Sequence, residues 1–148
     1  MATFKYNGVD ALDLTFEKMA NLSGDDLLRI IRPGAELLRE RLIEKVRAIF
    51  TQRSGSLANS FKLKERVWED GAGISVLPTG KHPKSSTGKR RSNGSYQGTN
   101  AEVAFILEYG SPRIGATHFM ENTAEESEQE VYNAMDAELT QILRERGL

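Results

Sequence analysis

Apolar residues recur along this chain in two rhythms, and the switches between them mark out its elements. Thr3 to Tyr6 reads as a short extended segment. Leu12, Phe16, Met19 and Ala20 then fall at helical spacing, so a helix is predicted over Asp10–Leu22 with Asp10 at its cap. Ser23-Gly24 breaks it, and Asp25–Ile31 is predicted as a second short helix with acids in its first turn, where the dipole favours them. Pro33 suits the first position of a third helix, since its missing N–H would be unpaired there. Ala35, Leu38, Leu42, Val46 and Ile49 give that helix its apolar stripe, widened by Leu37, Ile43 and Phe50. Its other face carries Glu36, Arg39, Glu40, Glu44, Lys45 and Arg47, which reads as a solvated, ion-paired surface.

Beyond Gln52-Arg53-Ser54-Gly55 the period changes to two. Phe61, Leu63 and Val67 alternate with Lys62, Lys64 and Arg66, the pattern of a half-buried strand; Glu65 interrupts it, as at a bulge or a wet strand end. Trp68 falls on the charged side. Gly71-Ala72-Gly73 is predicted to turn into a second strand, Ile74–Leu77, closing a hairpin. Pro78–Thr99 is polar, with two prolines, and reads as a mobile loop. Asn100–Tyr109 fits either a strand, by the alternation of Val103, Phe105, Leu107 and Tyr109, or a short helix capped by Asn100 and stopped by Gly110; the reading leans to helix. After a turn-rich crossing at Ser111–Ala116, a last helix is predicted from Thr117 to Arg146, with Met120, Ala124, Val131, Met135, Leu139 and Ile142 inside. The fold class is α+β: N-terminal helices and a long C-terminal helix on a small antiparallel sheet, in one domain spanning residues 1–148.

Composition narrows the function classes. A chain of 148 residues buries roughly two-thirds of its unfolded surface. No apolar run approaches the ~18–20 residues of a membrane helix, and Ala-Thr-Phe-Lys after Met1 does not resemble a secretion signal. With no cysteine there is no disulfide, thiolate metal site or cysteine nucleophile, which fits synthesis in a cytoplasm. The net charge of −1 hides an asymmetry. Lys81, Lys84, Lys89, Arg90 and Arg91 crowd one loop without an acid among them. Glu121, Glu125, Glu126, Glu128, Glu130, Asp136, Glu138 and Glu145 dominate the last helix. Either both surfaces are merely solvated, or unlike faces meet, as between neighbouring copies.

Catalytic chemistry is thinly provided for. His82 and His118 lack metal-ligand spacing, and His118 is expected to pack beside Phe119. Gly80-Lys81 fails the phosphate-loop pattern at Ser75 and His82, and no Gly-x-Ser-x-Gly elbow occurs. Carboxylates such as Glu125 and Glu126 sit on a solvated face. Neither an enzyme, a cofactor nor a small-molecule substrate is expected. A pocket uniting Glu108, Tyr109 and His118 would point instead to a small hydrolase or toxin. The Lys81–Arg91 loop is a candidate phosphate contact, although Tyr96 is its sole aromatic.

Three ordered segments carry a family resemblance: Ser54-Gly55-Ser56-Leu57-Ala58-Asn59-Ser60-Phe61, then Phe105-Ile106-Leu107-Glu108-Tyr109-Gly110-Ser111, then Ala116-Thr117-His118-Phe119-Met120. In this order they resemble the minor tail component, or head–tail joining, family of long-tailed bacteriophages, which includes tail-completion proteins. Serine at 54 and 111 and histidine at 118 depart from that family's usual threonines and proline. The resemblance implies a virion protein of the neck or tail end, made in the host cytoplasm and assembling as a ring of six copies. It would contact other neck and tail proteins, with genome DNA passing through its channel and no membrane involved. Gly55 and Gly110 are expected to reverse the chain at positive φ, Leu57 and Phe119 to pin those turns, and Ser60 to satisfy a loose backbone group, with Tyr109 completing the second motif. Lys81, Lys84, Lys89, Arg90, Arg91, Glu108 and Arg113 are the expected partner contacts. The alternatives are a DNA-contacting module using the loop at 81–91, and a tail-terminator or head-closure protein of the same fold.

Overall fold

The computed structural model describes residues 2–6, 12–17, 22–50, 55–81 and 98–147. Its elements run β1 (Ala2–Tyr6), β2 (Leu12–Glu17), α1 (Gly24–Ile49), β3 (Phe61–Val67), β4 (Gly71–Pro78), α2 (Asn100–Tyr109) and α3 (Phe119–Glu145). A single turn of 3₁₀ helix, Ala58–Ser60, leads into β3. The four strands form one antiparallel sheet in the order β1-β2-β4-β3. α1 lies between this sheet and α3, so the fold is α+β with α1 at its centre.

The N-terminal helix predicted over Asp10–Leu22 is instead β2 over Leu12–Glu17. Leu12 and Phe16 lie four apart, a spacing that helix and strand share; Leu14 between them breaks the tie in favour of period two. The register sets Leu12, Leu14 and Phe16 opposite Val76, Ile74 and Ala72, all buried residues of β4.

The second and third predicted helices are one. Ser23 and Asp26 form a capping box, with Ser23 Oγ accepting from the Asp26 amide (3.2 Å) and Asp26 Oδ2 from the Ser23 amide (3.0 Å). The helix then runs through Pro33, which withholds a donor from the carbonyl of Arg29 at a cost of ~3 kcal/mol. Burial on both sides of the proline outweighs that. Leu27, Ile30, Ile31, Ala35, Leu38 and Leu42 are all essentially inaccessible, each large one stabilising by roughly 1.5–3 kcal/mol. At Gly34 α3 comes so close that a Cβ would stand 2.8 Å from Met135 Cγ.

The hairpin forms, but its turn precedes the glycines: the Trp68 amide donates to the Gly71 carbonyl, and Gly71-Ala72-Gly73 is already strand. Register through Glu65 is unbroken, so no bulge occurs there. Glu65 interrupts the apolar row because Arg32 of α1 meets its carboxylate at 2.8 Å. The 100–109 segment is a helix, capped by Thr99 rather than Asn100 through a second capping box with Glu102. Asn100 is buried, its Nδ2 donating to the Thr79 carbonyl and its Oδ1 accepting from Ser56 Oγ.

α1 and α3 are antiparallel and laced by ion pairs. Arg29 meets Glu138 and Glu145, Arg41 meets Glu130, Lys45 meets Glu126, and Arg146 meets Asp26. Of the eight acids that the sequence offers for contacts between copies, four are therefore engaged with α1, and a fifth, Glu121, lies 3.7 Å from His118. Of the charged α1 residues, Arg41 and Glu44 make a pair along the helix.

Candidate assembly surface

The link between α2 and α3 is closely bonded. Gly110 ends α2 at φ +83°, ψ 176°, and a Cβ there would stand 2.8 Å from both the Ala116 nitrogen and the Ile114 oxygen. Ser111 and Ile114 exchange backbone hydrogen bonds across a tight turn, and Ser111 Oγ accepts from the Arg113 and Ile114 amides. The chain then returns alongside α2: the amides of Thr117 and His118 donate to the carbonyls of Leu107 and Glu108, covering two of that helix's terminal acceptors. His118 takes a left-handed conformation (φ +49°) at the start of α3 and gives no side-chain cap.

Glu108 supplies the cap instead. Its Oε2 accepts from the Met120 amide (2.8 Å) and its Oε1 from the Glu121 amide (3.2 Å). Glu108, one of the expected partner contacts, is 0% exposed, its carboxylate turned to the start of α3. The amides and the positive end of the α3 dipole compensate the buried carboxylate. Arg113 itself is exposed on the turn. Phe119 lies buried, edge-on to Phe50 at 5.4 Å, while the His118 ring turns outward and packs on Tyr109 at 6.4 Å rather than on Phe119. In the first motif, Gly55 has φ +69°, Leu57 is buried, and Ser60 Oγ donates to the Leu57 carbonyl (2.6 Å).

Glu108, Tyr109 and His118 do come together, and Glu108, His118 and Glu121 each bring one ligand atom within 4.8 Å of the others. That arrangement serves a helix start. Both Glu108 oxygens hold α3 amides, and the positive end of a helix dipole disfavours a cation. Elsewhere an open groove of about 440 Å³ lies between α1 and β3, bordered by Glu36, Arg39, Glu40, Lys62 and Leu63.

The link leaves a large apolar face outside. Phe105 (51% exposed), Ile106, Tyr109 (43%) and Ile114 (46%) are open to solvent, with Phe105 and Tyr109 one helical turn apart and in edge contact at 5.2 Å. A second exposed apolar pair, Val67 (51%) and Trp68 (46%), sits at the hairpin tip. The two sets occupy opposite ends of the molecule. Gly24, at the start of α1, abuts Val67, whereas Phe50, at its other end, meets Phe119 edge-on. The 26 residues of α1 separate those ends by about 39 Å.

Of the expected basic contacts, Lys81 is exposed at the end of the hairpin, bridged to Thr99; Lys84, Lys89, Arg90 and Arg91 lie outside the described residues. Sequence reading passed over another cationic group. Lys62, Lys64 and Arg66 are exposed on β3, where alternation identifies a strand but says nothing of which polar face stays open. Compared with known protein families, with curated proteins and with solved structures, the chain matches none.

Proposed function

We propose that this chain is a structural protein of a tailed-phage virion, a tail-completion or head–tail joining component that assembles head to tail into a ring. One observation carries the assembly reading: two unlike apolar surfaces, on α2 with its following turn and at the hairpin tip, lie exposed at opposite ends of α1. A contact between unlike patches repeats around a rotation axis and closes into a ring when the rotation permits, whereas a single patch pairing with itself stops at a dimer. Exposed aromatic and branched side chains supply the desolvation that such a contact needs. The ion pairs between α1 and α3, with α1 buried on both faces, give each copy a rigid body to stack.

The virion assignment comes from the ordered motifs around Gly55, Gly110 and Phe119, and a ring of six copies from the same resemblance. Other neck and tail proteins are the proposed partners, and no reaction is assigned. Electron micrographs of the purified chain at high concentration test the ring. Adding the chain to particles made without it tests the role: joined, infectious particles support the proposal. A solitary protein to which such particles are indifferent would end it.

A further inference from the structure

Four of the six cations of α1, Arg29, Arg32, Arg41 and Lys45, each meet a carboxylate within 2.9 Å. The other two, Arg39 and Arg47, bond to the Phe61 carbonyl and to Asn59 Oδ1. On β3, Lys62, Lys64 and Arg66 meet none among the described residues, although all three are exposed. β3 is an edge of the sheet, and its alternation fixes which way these residues point. Phe61 is buried and Glu65 pairs with Arg32, so the odd-numbered side faces α1; Lys64 and Arg66 lie on the opposite side, while Lys62 also borders the groove beside Glu36 and Glu40 of α1. In the neighbouring strand Lys64 stands opposite Ser75 and Arg66 opposite Gly73, so no bulky residue screens either cation there.

We infer that the outer face of β3 binds the phosphodiester backbone of nucleic acid through Lys62, Lys64 and Arg66. Alternate residues of a strand recur every ~6.7 Å, so the three charges occupy about 13 Å. Over that axial length one strand of a duplex carries about four phosphates, a comparable charge density. The unpaired acids of α3 make a poorer counterpart: Glu125, Glu128 and Asp136 are unevenly spaced along a helix whose other acids are engaged. Straight spacing with nothing to read bases means contact to any sequence. The inference stands apart from the ring reading, since a lone copy presents the same row.

The test is fluorescence anisotropy of a labelled random-sequence DNA duplex with the purified full chain over a salt series. The comparison proteins are the triple variant Lys62→Ser, Lys64→Ser, Arg66→Ser and a control, Arg47→Ser with Arg144→Ser, both exposed and outside the row. Each phosphate contact adds about 0.9 to the slope of log affinity against log salt, so the triple variant should lose about 2.7 from it while the control keeps it. Circular dichroism matching the parent shows that the exposed substitutions leave the fold intact. An unchanged slope in the triple variant, or no binding by the parent at low salt, overturns the inference. So does equal, equally salt-dependent binding of labelled polyglutamate, which would mark the row as a site for acidic protein.

Discussion

Glu108, near the end of α2, holds the amide of Met120 at 2.8 Å and so begins α3 from outside it. His118, the residue at the cap position, has no side-chain bond to give, so the helix depends on a carboxylate from another element. Replacing Glu108 with alanine orphans two amides and empties a buried site, and should cost about 2–4 kcal/mol. Glu108→Gln keeps the shape but turns its carboxamide NH2, a donor, toward one of those amides, and should cost less than the alanine variant. Urea unfolding of the three proteins measures both; an alanine variant as stable as the parent would refute the capping role.

The other end of α3 is tied by charge. Arg29 grips Glu145 through two hydrogen bonds, of 2.7 and 3.0 Å. Chiefly the Arg29 hydrogen bond, with help from Gln141, lowers the Glu145 carboxyl from its ordinary 4.5 to about 2. Asp26 is lowered as well, mainly by the Ser23 amide and further by Arg146. A carboxyl depressed in the folded state stabilises above its unfolded value and loses that contribution as pH falls through the folded one. Stability should therefore decline from about pH 4.5 toward pH 2. Glu145→Gln should flatten part of that decline, and high salt should shrink the difference. Urea midpoints across this range, with and without salt, check the sign.

Two neighbouring glycines should respond oppositely to alanine. Gly110 occupies backbone space that is nearly closed to other residues, and its Cβ would collide with the returning chain, so Gly110→Ala should cost about 3 kcal/mol or more. Around Gly115 a Cβ would meet nothing within 4 Å, so Gly115→Ala should fall within about 0.5 kcal/mol of the parent. Thermal unfolding of the pair separates a required reversal from a loose turn.

What the chain disclosed in advance followed from how local each signal is. The stripe of α3 and the alternation of β3 are complete within their own segments, and both elements form, although Val67, on the apolar side of β3, is left exposed at the hairpin tip. β2 was misread because Leu12 and Phe16 satisfy both periods, and Pro33 because its cost is local while the burial offsetting it comes from the sheet and α3. The Glu108 cap joins residues twelve apart, and the pairs of Arg29 and Arg41 join residues some ninety or more apart, beyond the reach of spacing rules. The opposed apolar ends likewise exist only once α1 has set their separation.

Whether the two ends recognise each other is tested most directly by native mass spectrometry of two variants, apart and mixed. Phe105→Asp spoils the α2 face and leaves the hairpin tip; Trp68→Asp does the reverse. Head-to-tail contact predicts that the parent forms a closed oligomer, that each variant alone is monomeric, and that mixing them yields one-to-one dimers and nothing larger. A variant that still dimerises alone, or a mixture that remains monomeric, would contradict it.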